Sequence, residues 1–255
     1  MGSFFDTILF QPIFNLLVLI YNFLPGSDFG LAIVILTILT RLLFSPLSLK
    51  TLRSQRALAQ IQPKVKALQE KYKNDKPGLA QATMALYKEH KVNPFSGCLP
   101  ILIQLPVLIA LYRAFSLGLK PESLSALYSF VANPGVIKNV AFGFLDLAQK
   151  SPVLAVLAGG FQWAQSKLAA KNQTQAAGGK PDPTALMMNR QMLYFFPVMI
   201  IIIAWNLPTG LTLYWVVTTL FSIGEQWYLN RKYGQPSAPR SNSGSNPRLA
   251  EPSRF

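Results

Sequence analysis

Arg41 is the residue that most demands an explanation. It stands in the apolar run Ile38 Leu39 Thr40 Arg41 Leu42 Leu43 Phe44, where a guanidinium keeps its charge because it cannot be deprotonated in a protein. A charge at the centre of a membrane helix costs roughly 2.5 to 3.5 kcal/mol on insertion scales, so it must face protein or water rather than lipid. Glu225 is the only carboxylate inside the other long apolar runs, and it should lie about two helical turns from Arg41. We therefore expect Arg41 to be unpaired and to line a water-filled cavity. Gln104, Gln162, Gln165, Thr212, Thr218 and Thr219 punctuate the remaining apolar runs and could line the same cavity. Taken singly, each also serves as hydrogen-bonding glue between helices. Arg113, near the end of its run, is expected to snorkel to the headgroups.

The inventory excludes much chemistry. The only histidine, His90, falls in a charged stretch, and there is no HExxH, no Ser-His pairing within an apolar run and no phosphate-binding Gly-Lys-Ser/Thr loop. Cys98 is the single cysteine, so neither an internal disulfide nor a Cys-Cys metal site can form. No cofactor, no metal and no enzymatic activity are expected. A small-solute or ion transporter is the alternative reading, but it predicts paired repeats with broken helices and coupling carboxylates near the midplane. The sequence offers neither. Asn172 Gln173 Thr174 matches a glycosylation sequon, but it falls in a loop expected to be cytoplasmic.

Elements of a particular kind must position these residues. Of the 255 residues, 51% are hydrophobic and 13% charged, too little charge to coat a soluble globule of this size. The net charge of +14 does not indicate a specific nucleic-acid partner, because the basic residues lie between and after the apolar runs rather than along one soluble face. Five runs approach the length that crosses a hydrocarbon core of about 30 Å: 29–49, 98–117, 151–168, 193–207 and 209–228. The first is expected to break near Ser45 and Pro46. Residues 1–28, interrupted by Asp6, Gln11, Pro12, Asn15 and Asn22, read as an amphipathic helix in the outer interface, with a sixth span as the alternative.

Residues 50–97 carry ten Lys or Arg against three acidic residues, which places them in the cytoplasm and the N-terminus outside. Within them Leu58, Ile61, Val65, Leu68 and Tyr72 recur at coiled-coil spacing. Pro77 and Gly78 are read as the turn, and Ala80, Met84 and Tyr87 as the returning stripe. Residues 118–150 form an outer loop with a short helical stretch near 124–131, and 169–192 form a polar cytoplasmic loop. Residues 229–255 form a basic tail too poor in apolar residues to pack. No Lys or Arg precedes Arg41, so a cleaved leader is not expected. The compartment expected is a bacterial plasma membrane, with the C-terminus in the cytoplasm.

Two motifs resemble those of a known family. Asn93 Pro94 Phe95 Ser96 Gly97 Cys98 Leu99 Pro100, continuing to Tyr112, and Phe196 Pro197 Val198 Met199 followed by Leu207 Pro208 Thr209 Gly210 Leu211 and Leu213 Tyr214 Trp215, are similar to the signatures of YidC/Oxa-type membrane protein insertases in their short, five-span form. The resemblance implies an all-α integral membrane protein. Its five transmembrane helices would enclose a hydrophilic groove, with a cytoplasmic helical hairpin and an N-terminal interfacial helix. It places the groove arginine on Arg41 and client-binding polar and aromatic groups on Gln104, Gln165, Tyr214 and Trp215, beside Thr212 and Thr218. It also implies nascent membrane proteins as clients, the ribosome and membrane lipids as partners, and the Sec translocon as a further candidate partner.

Overall fold

The computed structural model describes residues 6–93, 104, 105, 107–113, 124, 126–177 and 190–234, and they are mainly helical. A π-helical turn, Asp6–Phe10, leads into α1, Gln11–Phe23, with Pro12 in its first turn, where a missing N–H costs nothing. Pro25 then holds Leu24 extended, and the chain reverses through Gly26 and Ser27, both at positive φ. Asp28 caps α2, Phe29–Lys71, by accepting from the Leu31 amide at 2.9 Å. At 43 residues, α2 is roughly 65 Å long, twice the depth of a hydrocarbon core, so one helix makes both an apolar segment and the first arm of the basic hairpin.

The expected break at Ser45 and Pro46 does not occur: α2 runs through both Pro46 and Pro63. An internal proline costs about 3 kcal/mol, which the packing of α2 on neighbouring helices offsets. The hairpin turn also differs from expectation. Tyr72–Asp75 make it, and Pro77 and Gly78 belong to the first turn of α3, Lys76–Glu89, capped by Asp75 on the Gly78 amide at 2.9 Å. Ile61, Val65 and Leu86 are buried between the arms, whereas Ala80 and Met84 of the expected stripe are exposed. The stripe is displaced because α3 begins before the two residues read as its turn.

Gln104, Leu105 and residues 107–113 are helical; the rest of the expected second span lies outside the described residues. Of the helical stretch expected near 124–131, the described residues show a turn in which the Leu127 amide donates to the Leu124 carbonyl. A two-residue antiparallel pair, β1 (Val140–Ala141) and β2 (Leu145–Asp146), follows. α4, Pro152–Ala177, extends past the expected end of its span into the loop read as polar. A second π-helical turn, Gln191–Phe195, precedes α5, Phe196–Asn206. α6, Thr209–Tyr233, closes the described chain; most of the tail and the loop 178–189 lie outside it.

α4 packs on α5 and α6, α2 on α6 and α4, and α1 on α2. Gly159 lets α4 and α5 approach closely, since a Cβ there would stand 2.2 Å from Ile201 Cγ1. The main core lies at one end of the bundle, where Phe14, Leu17 and Val18 of α1 and Phe29, Ile33 and Leu36 of α2 meet Leu111, Leu211 and the loop residues Ile137, Ala141 and Leu147. By length and composition, Asp6–Phe23 and Phe29–Lys71 could each cross a membrane, and the apolar helix Gln191–Asn206 is shorter.

Candidate functional site

The polar residues of α1 organise the end of the bundle where the main core lies. Buried Asn15 donates to the carbonyls of Gln11 (2.8 Å) and Ala126 (3.1 Å) and accepts from the Tyr128 amide (2.7 Å). Asn22 donates to the Ala132 carbonyl at 2.7 Å, and the Tyr21 hydroxyl accepts from the Lys138 amide at 3.1 Å. Interruptions that read as marks of an amphipathic helix therefore also satisfy the backbone of an irregular loop, which a buried loop requires. Arg113 is ion-paired with Asp6 and lies over the Phe10 ring at 5.5 Å, so it ties the 107–113 helix to the N-terminal segment instead of standing free. The amides of Thr209 and Gly210 donate to the carbonyls of Gln149 and Leu147, fastening the same loop to the start of α6.

Two turns into α2 from this core the chemistry changes. Thr37 and Thr40 donate their hydroxyl protons to the carbonyls of Ile33 and Leu36, and the next polar side chain is Arg41. Among the described residues Arg41 has no ion pair, and its Nε is buried without a hydrogen-bond partner. Tyr214, on α6, is buried and lies within electrostatic reach of Arg41, and its hydroxyl accepts from Gln104 Nε2. Thr218, one turn further along α6 and close to Tyr214, is buried with its hydroxyl making no well-formed hydrogen bond. Arg41, Gln104, Tyr214 and Thr218 are thus brought together from three segments far apart in sequence.

The other candidates lie elsewhere. Thr212 donates, at 3.4 to 3.5 Å, to the carbonyls of Pro208 and Ala204 at the α5–α6 turn. Trp215 is half-buried against Ala158, Ile200 and Val216, because one residue along a helix rotates the side chain about 100° away from Tyr214. Gln165 accepts from Gln162 at 3.1 Å within α4, and Thr219 donates to the Trp215 carbonyl at 2.9 Å.

Sequence reasoning missed the partner of Glu225. The carboxyl is buried on α6; its Oε2 accepts from Ser48 Oγ at 2.7 Å, and its Oε1 is buried without a partner among the described residues. The spacing of Ser45 and Ser48, one and two turns from Arg41, was the available signal. Deeper still, a small cleft between α2, α4 and α6 is lined by Leu52, Arg56, Ala59, Asn172, Gln226 and Leu229. Arg56 donates to Asn230, which donates to Asn172 at 3.3 Å, and burial draws the Arg56 pKa below its ordinary value. No group of three or more His, Cys, Asp or Glu that could hold a metal occurs among the described residues. What the arrangement offers is a row of polar atoms, several unsatisfied, along the faces of α2 and α6.

A sequence profile of the 60Kd inner membrane protein family matches residues 19–236. The chain is 36% identical to the membrane protein insertase YidC of Fusobacterium nucleatum over 226 residues, covering 86% of this chain and 98% of that protein. It is 36% identical to the membrane protein insertase MisCA of Bacillus subtilis over 232 residues, 89% of this chain and 79% of that protein. With YidC of Legionella pneumophila the identity is 39% over 223 residues, 87% of this chain but only 35% of that longer protein. On this footing the chain belongs to the 60Kd inner membrane protein family, the bacterial inner-membrane family that includes the YidC and MisCA insertases, and is not an enzyme.

Proposed function

We propose that this chain inserts membrane proteins, carrying the polar tail or loop of a client through a hydrated groove beside Arg41 and releasing the client's apolar helix into lipid, without nucleotide hydrolysis. The observation that carries the reading is an arginine in an apolar helix with its Nε buried and without a hydrogen-bond partner among the described residues, beside a Gln104–Tyr214 hydrogen bond and the Thr218 hydroxyl, which makes no well-formed hydrogen bond there. Polar atoms left unsatisfied in a protein interior are costly. Water or a passing client satisfies them, and their persistence in a packed bundle supports a wet path.

In this reading five spans, 29–49, 98–117, 151–168, 193–207 and 209–228, enclose the groove. The N-terminus is outside, and the basic hairpin and tail are in the cytoplasm. The loop fastened over α1, α2 and α6 closes the outer end. The basic hairpin and tail meet nascent chains and the ribosome, and the Sec translocon is a further partner.

The energetics need no fuel. A client helix gains roughly 0.3 to 0.6 kcal/mol from each strongly apolar residue at its centre, enough over about 20 residues to offset one or two charges crossing at about 2.5 to 3.5 kcal/mol each. The barrier is the passage of unsatisfied polar groups through hydrocarbon. A groove shortens that passage, and Arg41 supplies a countercharge to acidic groups in the client's tail. A membrane potential, negative inside, draws each negative charge outward with about 2.3 kcal/mol per 100 mV.

The test compares wild type with Arg41→Ala and Arg41→Lys in proteoliposomes, following insertion of a single-span client with an acidic tail. The alanine variant is expected to slow insertion and the lysine variant to restore most of it. Equal rates for wild type and Arg41→Ala would refute the countercharge. Photocrosslinkers at Gln104, Tyr214 and Trp215, challenged with ribosome-bound client chains, report the path directly.

A further inference from the structure

Arg41 and Glu225 are oppositely charged groups among the polar atoms that α2 and α6 turn toward one another, and both are incompletely satisfied. Among the described residues Arg41 presents a buried donor, Nε, without an acceptor, and Glu225 presents a buried acceptor, Oε1, without a well-formed hydrogen bond. They do not satisfy each other, since no ion pair joins them among the described residues. Ser48 and Ser45 mark the distance between them. Ser48 holds Glu225 Oε2 at 2.7 Å, and Ser45, one turn closer to Arg41, also lies beside the carboxyl. Ser45 and Ser48 are four and seven residues beyond Arg41, so the carboxyl sits roughly 6 to 10 Å along the helix axis from the guanidinium. An extended chain advances about 3.3 Å per residue, and that gap corresponds to two or three residues of client.

From these two orphaned atoms and their spacing we infer that Glu225 is a second client-binding group of the groove. It receives an amide or ammonium donor of the translocating segment while Arg41 receives an acidic group two or three residues further out. This rests on the insertase reading and adds a direction to it. A groove with only Arg41 selects for negative charge, whereas a groove with Arg41 outward and Glu225 inward reads the order of charges along the client. Burial is what makes the second group matter. An exposed carboxylate would be fully hydrated whether or not a client were present, while Oε1 is buried and makes no well-formed hydrogen bond among the described residues, Ser45 being the nearby hydroxyl, so a client donor that reaches it adds a hydrogen bond. Hydrogen bonds to a charged group are among the stronger ones in proteins.

The experiment uses two clients of identical composition and net charge, reconstituted with the full chain in proteoliposomes without a membrane potential. Each has a short N-terminal tail before one apolar span. In one, Asp precedes Lys by three residues, so that Lys lies nearer the span; in the other the two are exchanged. Wild type is expected to insert the Asp-first client about tenfold faster, the factor that one charge-assisted hydrogen bond supplies, and Glu225→Gln is expected to bring the ratio near one. Ser48→Ala, which breaks the same contact between α2 and α6 but keeps the carboxyl, should preserve the preference. A wild-type ratio near one overturns the inference, as does a ratio unchanged in Glu225→Gln. Equal loss of the preference in both variants also overturns it, because the helix contact rather than the carboxyl would then be responsible. Because the readout is a ratio between clients on one preparation, it is separable from the insertase reading itself, which fails if neither client is inserted by wild type faster than by empty liposomes.

Discussion

The two ends of the α2–α6 pair are built differently. At the end that carries the main core, Phe14, Leu17, Phe29, Ile33 and Leu36 are almost completely buried, and Asn15, Asn22, Tyr21 and Asp28 give their side-chain polar atoms to an irregular loop. Further along the same two helices, Arg41 Nε, Thr218 Oγ1, Glu225 Oε1 and Gln226 Oε1 are all buried and make no well-formed hydrogen bond among the described residues. Native interiors satisfy nearly all of their buried polar groups; Asn139 Oδ1 and Thr209 Oγ1 are exceptions at the first end too, so the regions differ in degree, and only in the second do the unsatisfied atoms include those of charged side chains. The first region spends most of its polar atoms on holding the loop in place. The second leaves several buried polar atoms unsatisfied, and in the proposed function these are the atoms that a client or water would meet.

That contrast can be broken most forcefully in the first region. Phe14→Ala opens a cavity in the main core, and deletions of this size cost about 3 to 5 kcal/mol. Thermal unfolding in detergent should shift markedly, with the loop 126–147 losing protection from hydrogen exchange. Asn15→Ala removes three hydrogen bonds and strands the Ala126 carbonyl and the Tyr128 amide. About 1 to 3 kcal/mol should be lost, again with exchange concentrated in the loop.

A smaller loss is expected at the hairpin. Asp75→Ala removes the α3 cap, a change worth about 1 kcal/mol, and limited proteolysis should open the hairpin while the apolar bundle stays resistant. The least stability effect belongs to Thr218→Val, which replaces an unpartnered buried hydroxyl with a methyl of similar volume. The melting temperature should hold or rise slightly, while client insertion slows. A clear fall in melting temperature would show that the Thr218 hydroxyl is bonded, and the contrast between the two regions would then be weaker than drawn.

Much of this was legible in the residues. A guanidinium in an apolar run has few physical solutions, so Arg41 stood out without any structure. The basic stretch after it could be read as a helical hairpin from a coiled-coil spacing of apolar residues. Other features resisted reading because they depend on neighbours. Pro46 reads as a break by local propensity, yet α2 continues through it because packing overrides propensity. Thr212, Thr218 and Thr219 are one residue type on one helix, but only Thr218 sits beside Tyr214; the others cap a turn or return to their own backbone. Tyr214 and Trp215 are adjacent in sequence and face different neighbours.

By itself the sequence determined that a charge must lie within apolar surroundings and that a basic helical arm must follow it. Composition and period decide such things locally, through the cost of burying charge and the 3.6-residue turn. Which polar atoms find partners and which stay unsatisfied was decided only by the tertiary structure. Satisfaction depends on whether a donor on one helix meets an acceptor on another within about 3 Å, and Ser48 and Glu225, 177 residues apart, meet only when α2 and α6 pack.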